Sequence, residues 1–207
     1  MATAGLFVFL AACGLLWSRN MTHGVWFLAA EGLALTVMVW TSGPLTAATL
    51  GIGFATLTVK SGVIPGAMHR VISQWPTEYR QDQPLPFWAY LVAAGLVLAV
   101  GHVIQLLSPS GLILHRALFF YGLASIHLGL LMVVSRRHVL SQVAALVGIE
   151  NGLVVLAASV AGALPTFMEL GMLVDLLVAA AILVWMSRRI HRQFKSTDIV
   201  ALRRLRG

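Results

Sequence analysis

Charge is what this chain has least of. Only 10% of its 207 residues are Asp, Glu, Lys or Arg, against roughly 25% in an ordinary soluble domain. With 59% hydrophobic residues and a mean hydropathy of +0.89, that scarcity excludes a soluble globular protein. Cysteine is nearly missing too. Cys13 is single and lies in an apolar run, which excludes a disulfide framework and a Cys-ligated iron–sulfur cluster within the chain. There is no P-loop, no GxGxxG, no Cys or His cluster with metal-ligand spacing and no Ser/His/Asp set. No polar stretch is long enough to build a soluble domain around a redox cofactor. Haem ligation by His102 and His127 needs two ligands at matched depth, and one lies nearer a span end than the other. The expectation is a chain with no catalytic centre, metal or cofactor of its own.

Long apolar runs are what is present. Stretches of 18 residues or more read as membrane-spanning helices. Seven are expected, over about 2–17, 22–42, 45–67, 87–108, 112–134, 138–161 and 166–188, so the fold class is an all-α polytopic membrane protein. Gly, Pro and Ser mark the short links "SRNM", "SGP", "SPSG", "SRR" and "GALP", and one link, "SQWPTEYRQDQPLP", is long. The first apolar stretch lacks a basic leader and reads as a span rather than a cleaved signal peptide.

The basic residues orient the spans. Arg19, Arg70, Arg80, Arg136, Arg137 and the seven of the tail from Arg188 to Arg206 all fall in alternate links or the C-terminus. Lys60 and Arg116 alone fall within spans. Positive residues collect on the cytoplasmic side, which gives seven spans with the N-terminus outside and the C-terminus inside. The net charge of +7 is then topological, with attraction to anionic lipid headgroups, and nucleic acid is not an expected partner.

The first and last three spans resemble each other. "SRNMTHGVWFLAAEGLALTV" lies over "SRRHVLSQVAALVGIENGLVVL" with a slip of a residue or two, and "LGIGFATLTVK" over "LGMLVDLLVAA". Each unit has a cytoplasmic arginine before a span with a central glutamate. Because apolar strings match easily, coincidence competes with a true parallel repeat. On the repeat reading, the single membrane domain 1–207 divides into repeat A (1–68), a loop and extra helix (69–111), repeat B (112–188) and a basic tail (189–207).

Four ionisable residues fall well inside spans: Glu31, Lys60, Glu150 and Asp175. Each costs on the order of 2.5–3.5 kcal/mol at the bilayer centre if left unpaired, so each must face protein or water, pair, or be neutral. One lysine cannot neutralise three carboxylates, so at least one acid is expected to hold a proton. Protonatable acids at mid-membrane are the material of proton relays. A purely structural role, in which the charges only orient helices, remains the alternative. Asn151 beside Glu150 reads as interhelical polar support. His127 is the deepest of the span histidines and joins Glu150, Asp175, Lys60 and Glu31 as a candidate for the proton pathway; His102, His115 and Arg116 rank below. Glu169 reads as a helix-start acid. Pro65, five residues after Lys60, frees a carbonyl one turn back and can kink the third span.

With these residues in view, the chain resembles the membrane component E of hydrogenase-4, a subunit of formate hydrogenlyase-type, proton-translocating complexes. The likeness rests on "VSRRHVLSQVAALVGIENG", on "MELGMLVDLLVAAAILVWMSRRI", on Lys60 in the third span before a proline, and on the ending "STDIVALRRLRG". The last three spans are more distantly similar to the small K-type membrane component of NADH–quinone oxidoreductases and to its counterpart in multisubunit cation/proton antiporters. In the former, the key glutamate lies about one turn nearer the basic link than Glu150. The resemblance implies a non-catalytic membrane subunit of a [NiFe]-hydrogenase-type oxidoreductase complex in a bacterial or archaeal cytoplasmic membrane. Its implied partners are antiporter-like membrane subunits and, through them, the hydrogenase large and small subunits. Membership of a multisubunit cation/proton antiporter is the competing function.

Overall fold

In a computed structural model of the chain, the described residues are 1–42, 44–76, 80–82, 85–107, 115–161, 181 and 185. Apart from short links they are helical, with no strand among them. The helices are α1 (Ala2–Trp17), α2 (Met21–Thr41), α3 (Ala47–Thr56), a π-helical segment Leu57–Val63, α4 (Ile64–Ser73), α5 (Phe87–Leu107), α6 (Arg116–Ser135) and α7 (Val139–Ala161). The pieces from α3 to α4 form one continuous rod, Ala47–Ser73. Five helices in this set are long and apolar enough to cross a membrane, and α1 is an apolar helix of 16 residues. They coincide with the first six expected spans to within a few residues, except that the third runs on past Arg70 into the expected link. The seventh, 166–188, lies outside the described residues, with Glu169 and Asp175. So does the segment 170–180 on which the second half of the repeat rests.

Small residues decide how closely the helices approach. A Cβ on Gly122 of α6 would fall 2.5 Å from Leu156 N and 2.9 Å from Gly152 O of α7. At that crossing the two backbones touch, as apolar helices in lipid do where packing rather than water drives association. Gly32 of α2 serves the same purpose against the third rod. A Cβ there would fall 2.8 Å from the Lys60 carbonyl carbon and 2.9 Å from Ser61 N. Both contacts adjoin charged residues, since Gly32 follows Glu31 and Gly152 follows Glu150-Asn151.

Proline shapes the third rod. Pro65 has no N–H to give the α-helical ladder, and the residues before it widen into the π-helical turns of Leu57–Val63. Ile64 N–H bonds to the Val59 carbonyl, five residues back. The irregularity expected at Pro65 takes the form of a widened stretch inside an unbroken helix, and such stretches gather at functional positions. Thr56, Lys60, Ile64 and Met68 remain on the buried side of the rod.

The arginine-rich links meet at one end of the bundle. Asp82 N–H donates to Arg19 O at 2.8 Å, and Asn20 and Gln81 form an isolated β-bridge. Arg136, read from the sequence only as a topological charge, is buried. Its Nη2 donates to Leu16 O at 2.6 Å and Ser18 O at 2.7 Å, and its Nη1 lies 3.8 Å from Asp82 Oδ2. Burial pushes this guanidinium below its ordinary range, with Asp82 acting in the opposite sense; arginine nonetheless keeps its proton. One side chain thus caps the C-terminal carbonyls of α1 and ties three links together.

Two stability outcomes follow. Gly122→Val should push α6 off α7 and cost about 1–3 kcal/mol, read as earlier loss of helicity on heating in detergent. Arg136→Met strips a buried ion pair of one partner and should cost about 3–5 kcal/mol, with Arg136→Lys in between. Equal melting of the three Arg136 proteins would refute the capping role.

Candidate functional site

Three helical rods that pack around one seam bring four polar side chains together. Glu31 projects from α2, Lys60 from the π-helical segment, and Glu150 and Asn151 from α7. Glu31 and Asn151 are 0% exposed and Lys60 3%; Glu150 is more open, at 15% of its side chain. The Lys60 ammonium pairs directly with Glu150 Oε2. It also donates to Asn151 Oδ1 at 2.9 Å. Asn151 Nδ2 in turn donates to Glu31 Oε2 at 2.7 Å. The order is Glu150–Lys60–Asn151–Glu31, a continuous polar line between α7, the third rod and α2.

The amide can sit in this line one way only. An ammonium is a pure donor, so the Asn151 oxygen must face Lys60 and its NH₂ must face the carboxylate. Asn151 is therefore the middle link that lets one lysine serve two acids, beyond the packing role expected of it. Each acid keeps one oxygen outside the line: Glu31 Oε1 and Glu150 Oε1 are buried with no hydrogen-bond partner among the described residues.

Local sequence explains the convergence. Gly32 lets the α2 backbone lie against Lys60-Ser61, so the neighbouring Glu31 enters the same seam. Gly152 holds an adjoining face of α7 to α6, leaving Asn151 to face α2. The π-helical widening carries Lys60 at its centre.

Other candidates fall elsewhere. Half-buried His127 has its Nδ1 2.7 Å from Leu123 O one turn back in α6, and no hydrogen bond joins it to the line among the described residues. His102 is exposed on α5, and His115 and Arg116 are exposed at the start of α6. No group of three or more His, Cys, Asp or Glu suited to a metal occurs among the described residues. Asp175 lies outside them. Asp82 and the buried role of Arg136 escaped the sequence reading. Asp82 sits in a polar link where an acid is unremarkable, and its backbone bond to Arg19 helps bring it against Arg136.

No protein-family model matches the chain, and no solved structure matches it. It is 28% identical to an uncharacterized protein of Mycobacterium tuberculosis over 204 residues, 95% of this chain and 91% of the relative. It is also 32% identical over 123 residues to hydrogenase-4 component E of Escherichia coli, and equally to that of Shigella flexneri. Those 123 residues are 59% of this chain and 56% of the hydrogenase component, so the match spans little more than half of either. The chain is a multi-pass helical membrane protein with a distant similarity to hydrogenase-4 component E.

Proposed function

We propose that this chain is a non-catalytic membrane subunit of a proton-translocating, membrane-bound hydrogenase-like complex, and that its polar line carries part of the proton pathway. The observation that bears most weight is the buried run Glu150–Lys60–Asn151–Glu31. The similarity to hydrogenase-4 component E supports the kind of complex. On this reading the chain sits in the cytoplasmic membrane of a bacterium or archaeon with its arginine-rich end inside. It assembles with antiporter-like and other membrane subunits, which join it to the hydrogenase large and small subunits.

The charge count of the line suits proton exchange. Two carboxylates face one ammonium, so in a low-dielectric seam the neutral state carries one extra proton. That proton can rest on either acid. When Glu31 holds it, Lys60 is matched by Glu150; when Glu150 holds it, Lys60 is matched through Asn151 by Glu31. Moving the proton from one acid to the other shifts charge across three helices without leaving an unpaired ion. Asp175, on the expected seventh span, is proposed as the continuation beyond Glu150, and His127 as an outlying member. The repeat relation of spans 1–3 to 5–7 belongs to the same proposal, with Glu31 and Glu150 as mates.

A structural reading draws on the direct Lys60–Glu150 contact, which by itself is an interhelical clamp. It gives no account of the second acid, joined to the lysine only through an amide. The two separate in native membranes or vesicles holding the assembled complex. Glu150→Gln should leave assembly intact and abolish proton uptake coupled to turnover. Normal pumping by an assembled Glu150→Gln complex, or loss of assembly with pumping retained in the fraction that does assemble, would overturn the relay and favour the clamp.

A further inference from the structure

An open groove follows the seam between α1 and α2 on the outside of the bundle. Its apolar part, about 480 Å³, runs from Thr3 to Ala11 on α1 and from Phe27 to Val37 on α2. Buried Ala4 and Ala11 line it, with the exposed Phe7, Leu10, Leu33 and Val37 beside them. A second part, lined by Gly14, Trp17 and Phe27, carries the groove on toward the arginine-rich end. At 1.5 Å per residue, the course from Trp17 to Thr3 is about 20 Å. That exceeds the depth of one leaflet, about 15 Å, and falls short of the roughly 30 Å that a spanning helix crosses.

The groove changes character along its length. Phe27 belongs to both parts and lies over Gly14, where any side chain would strike its ring. Past it the walls are Trp17, Phe87 and Tyr90 together with the polar Arg19, Asn20 and His23. Trp17 and Tyr90 have ring centroids 5.3 Å apart, and such amphipathic rings settle at a membrane–water interface. Arg19 and His23 are exposed, and neither side chain has a hydrogen bond or ion pair among the described residues. No acid lines this part among the described residues. The backbone holds Arg19 in place, since its carbonyl takes the Asp82 N–H and Asn20 bridges to Gln81. The Asp82 carboxylate itself turns to Arg136. Arg19 acts on Arg136 as a like charge, so an anion beside Arg19 relieves that repulsion.

We propose that this groove seats one anionic phospholipid, its phosphate at Arg19 and His23 and an acyl chain along α1 and α2 past Phe27. A guanidinium fork matches two phosphate oxygens at once. The His23 ring offers a further N–H. So does the Asn20 amide, whose oxygen already accepts from Thr22 N–H. Arginine-rich ends collect at the membrane face where anionic lipids attract them, so the ligand is at hand where the cation is. A zwitterionic headgroup carries its own ammonium beside the phosphate and gains less from Arg19. The seat is separate from the Glu150–Glu31 line and stands whether or not that line moves protons.

Native mass spectrometry of the full chain, released from nanodiscs of equal phosphatidylglycerol and phosphatidylcholine, tests this. The wild-type chain should retain one phosphatidylglycerol in preference. Arg19→Gln should lower that retention about tenfold, the scale of one charge-assisted contact, and leave phosphatidylcholine unchanged. Arg137→Gln removes an exposed arginine at the same end but outside the groove, and should change retention little. Ala30→Trp sets a ring in the apolar part from an exposed position, so the fold is kept and both lipids should be displaced. Equal retention of the two lipids by the wild-type chain would overturn the seat, as would an Arg19→Gln effect no larger than that of Arg137→Gln. A photoreactive group at position 30 that labels another polypeptide, and not lipid, in native membranes would assign the groove to a partner helix instead.

Discussion

A lysine ammonium buried to 3% exposure in the middle of an apolar bundle is the constraint to which the described structure answers. An isolated charge in lipid or dry protein is costly enough to select against the whole arrangement, so the helices that carry its counter-charges cannot drift apart. Glu150 meets the ammonium directly, and Asn151 and Glu31 meet it in series. The packing of α2, α7 and the third rod is thus set by electrostatics at the centre and by glycines at the edges. Gly32 and Gly152 place backbones within touching distance, and the adjoining acids and amide reach across gaps that longer side chains would have filled.

The opposite strategy operates at the arginine-rich end. There the charge that matters is a guanidinium, whose planar donors fit two helix-terminal carbonyls and a carboxylate at once. Arg136 fixes where α1 ends and how the link carrying Asp82 folds back. Between this end and the central line, buried Leu15 packs against Gly24 and Gly148.

Much of this was legible in the chain itself. Six of the expected apolar helices, five of them long enough to span a membrane, and the meeting of the links bearing Arg19, Arg80 and Arg136 at one end all follow from apolar run length and the avoidance of buried charge. These are one-dimensional constraints, set by the thickness of the bilayer and the cost of an ion inside it. Pro65 marked the site of a helix irregularity because a missing N–H is a property of the residue. Its form, a π-helical widening, depends on what the neighbouring helices press against the rod.

What the chain could not disclose was which polar groups touch. Glu31 and Glu150 look like equivalents in two separate units, yet they end in one line, joined by an asparagine that the sequence marks only as a polar neighbour. His127 looks as deep as they are, but its ring nitrogen turns back on its own helix. Asp82 and Arg136 look like solvated link charges and instead meet under the bundle. The sequence alone determined the solvent each segment lives in, because transfer free energy is a sum over residues. The tertiary structure decided partners and access, because those depend on helix rotation and on where a glycine lets two backbones meet, and neither leaves a mark in composition or spacing.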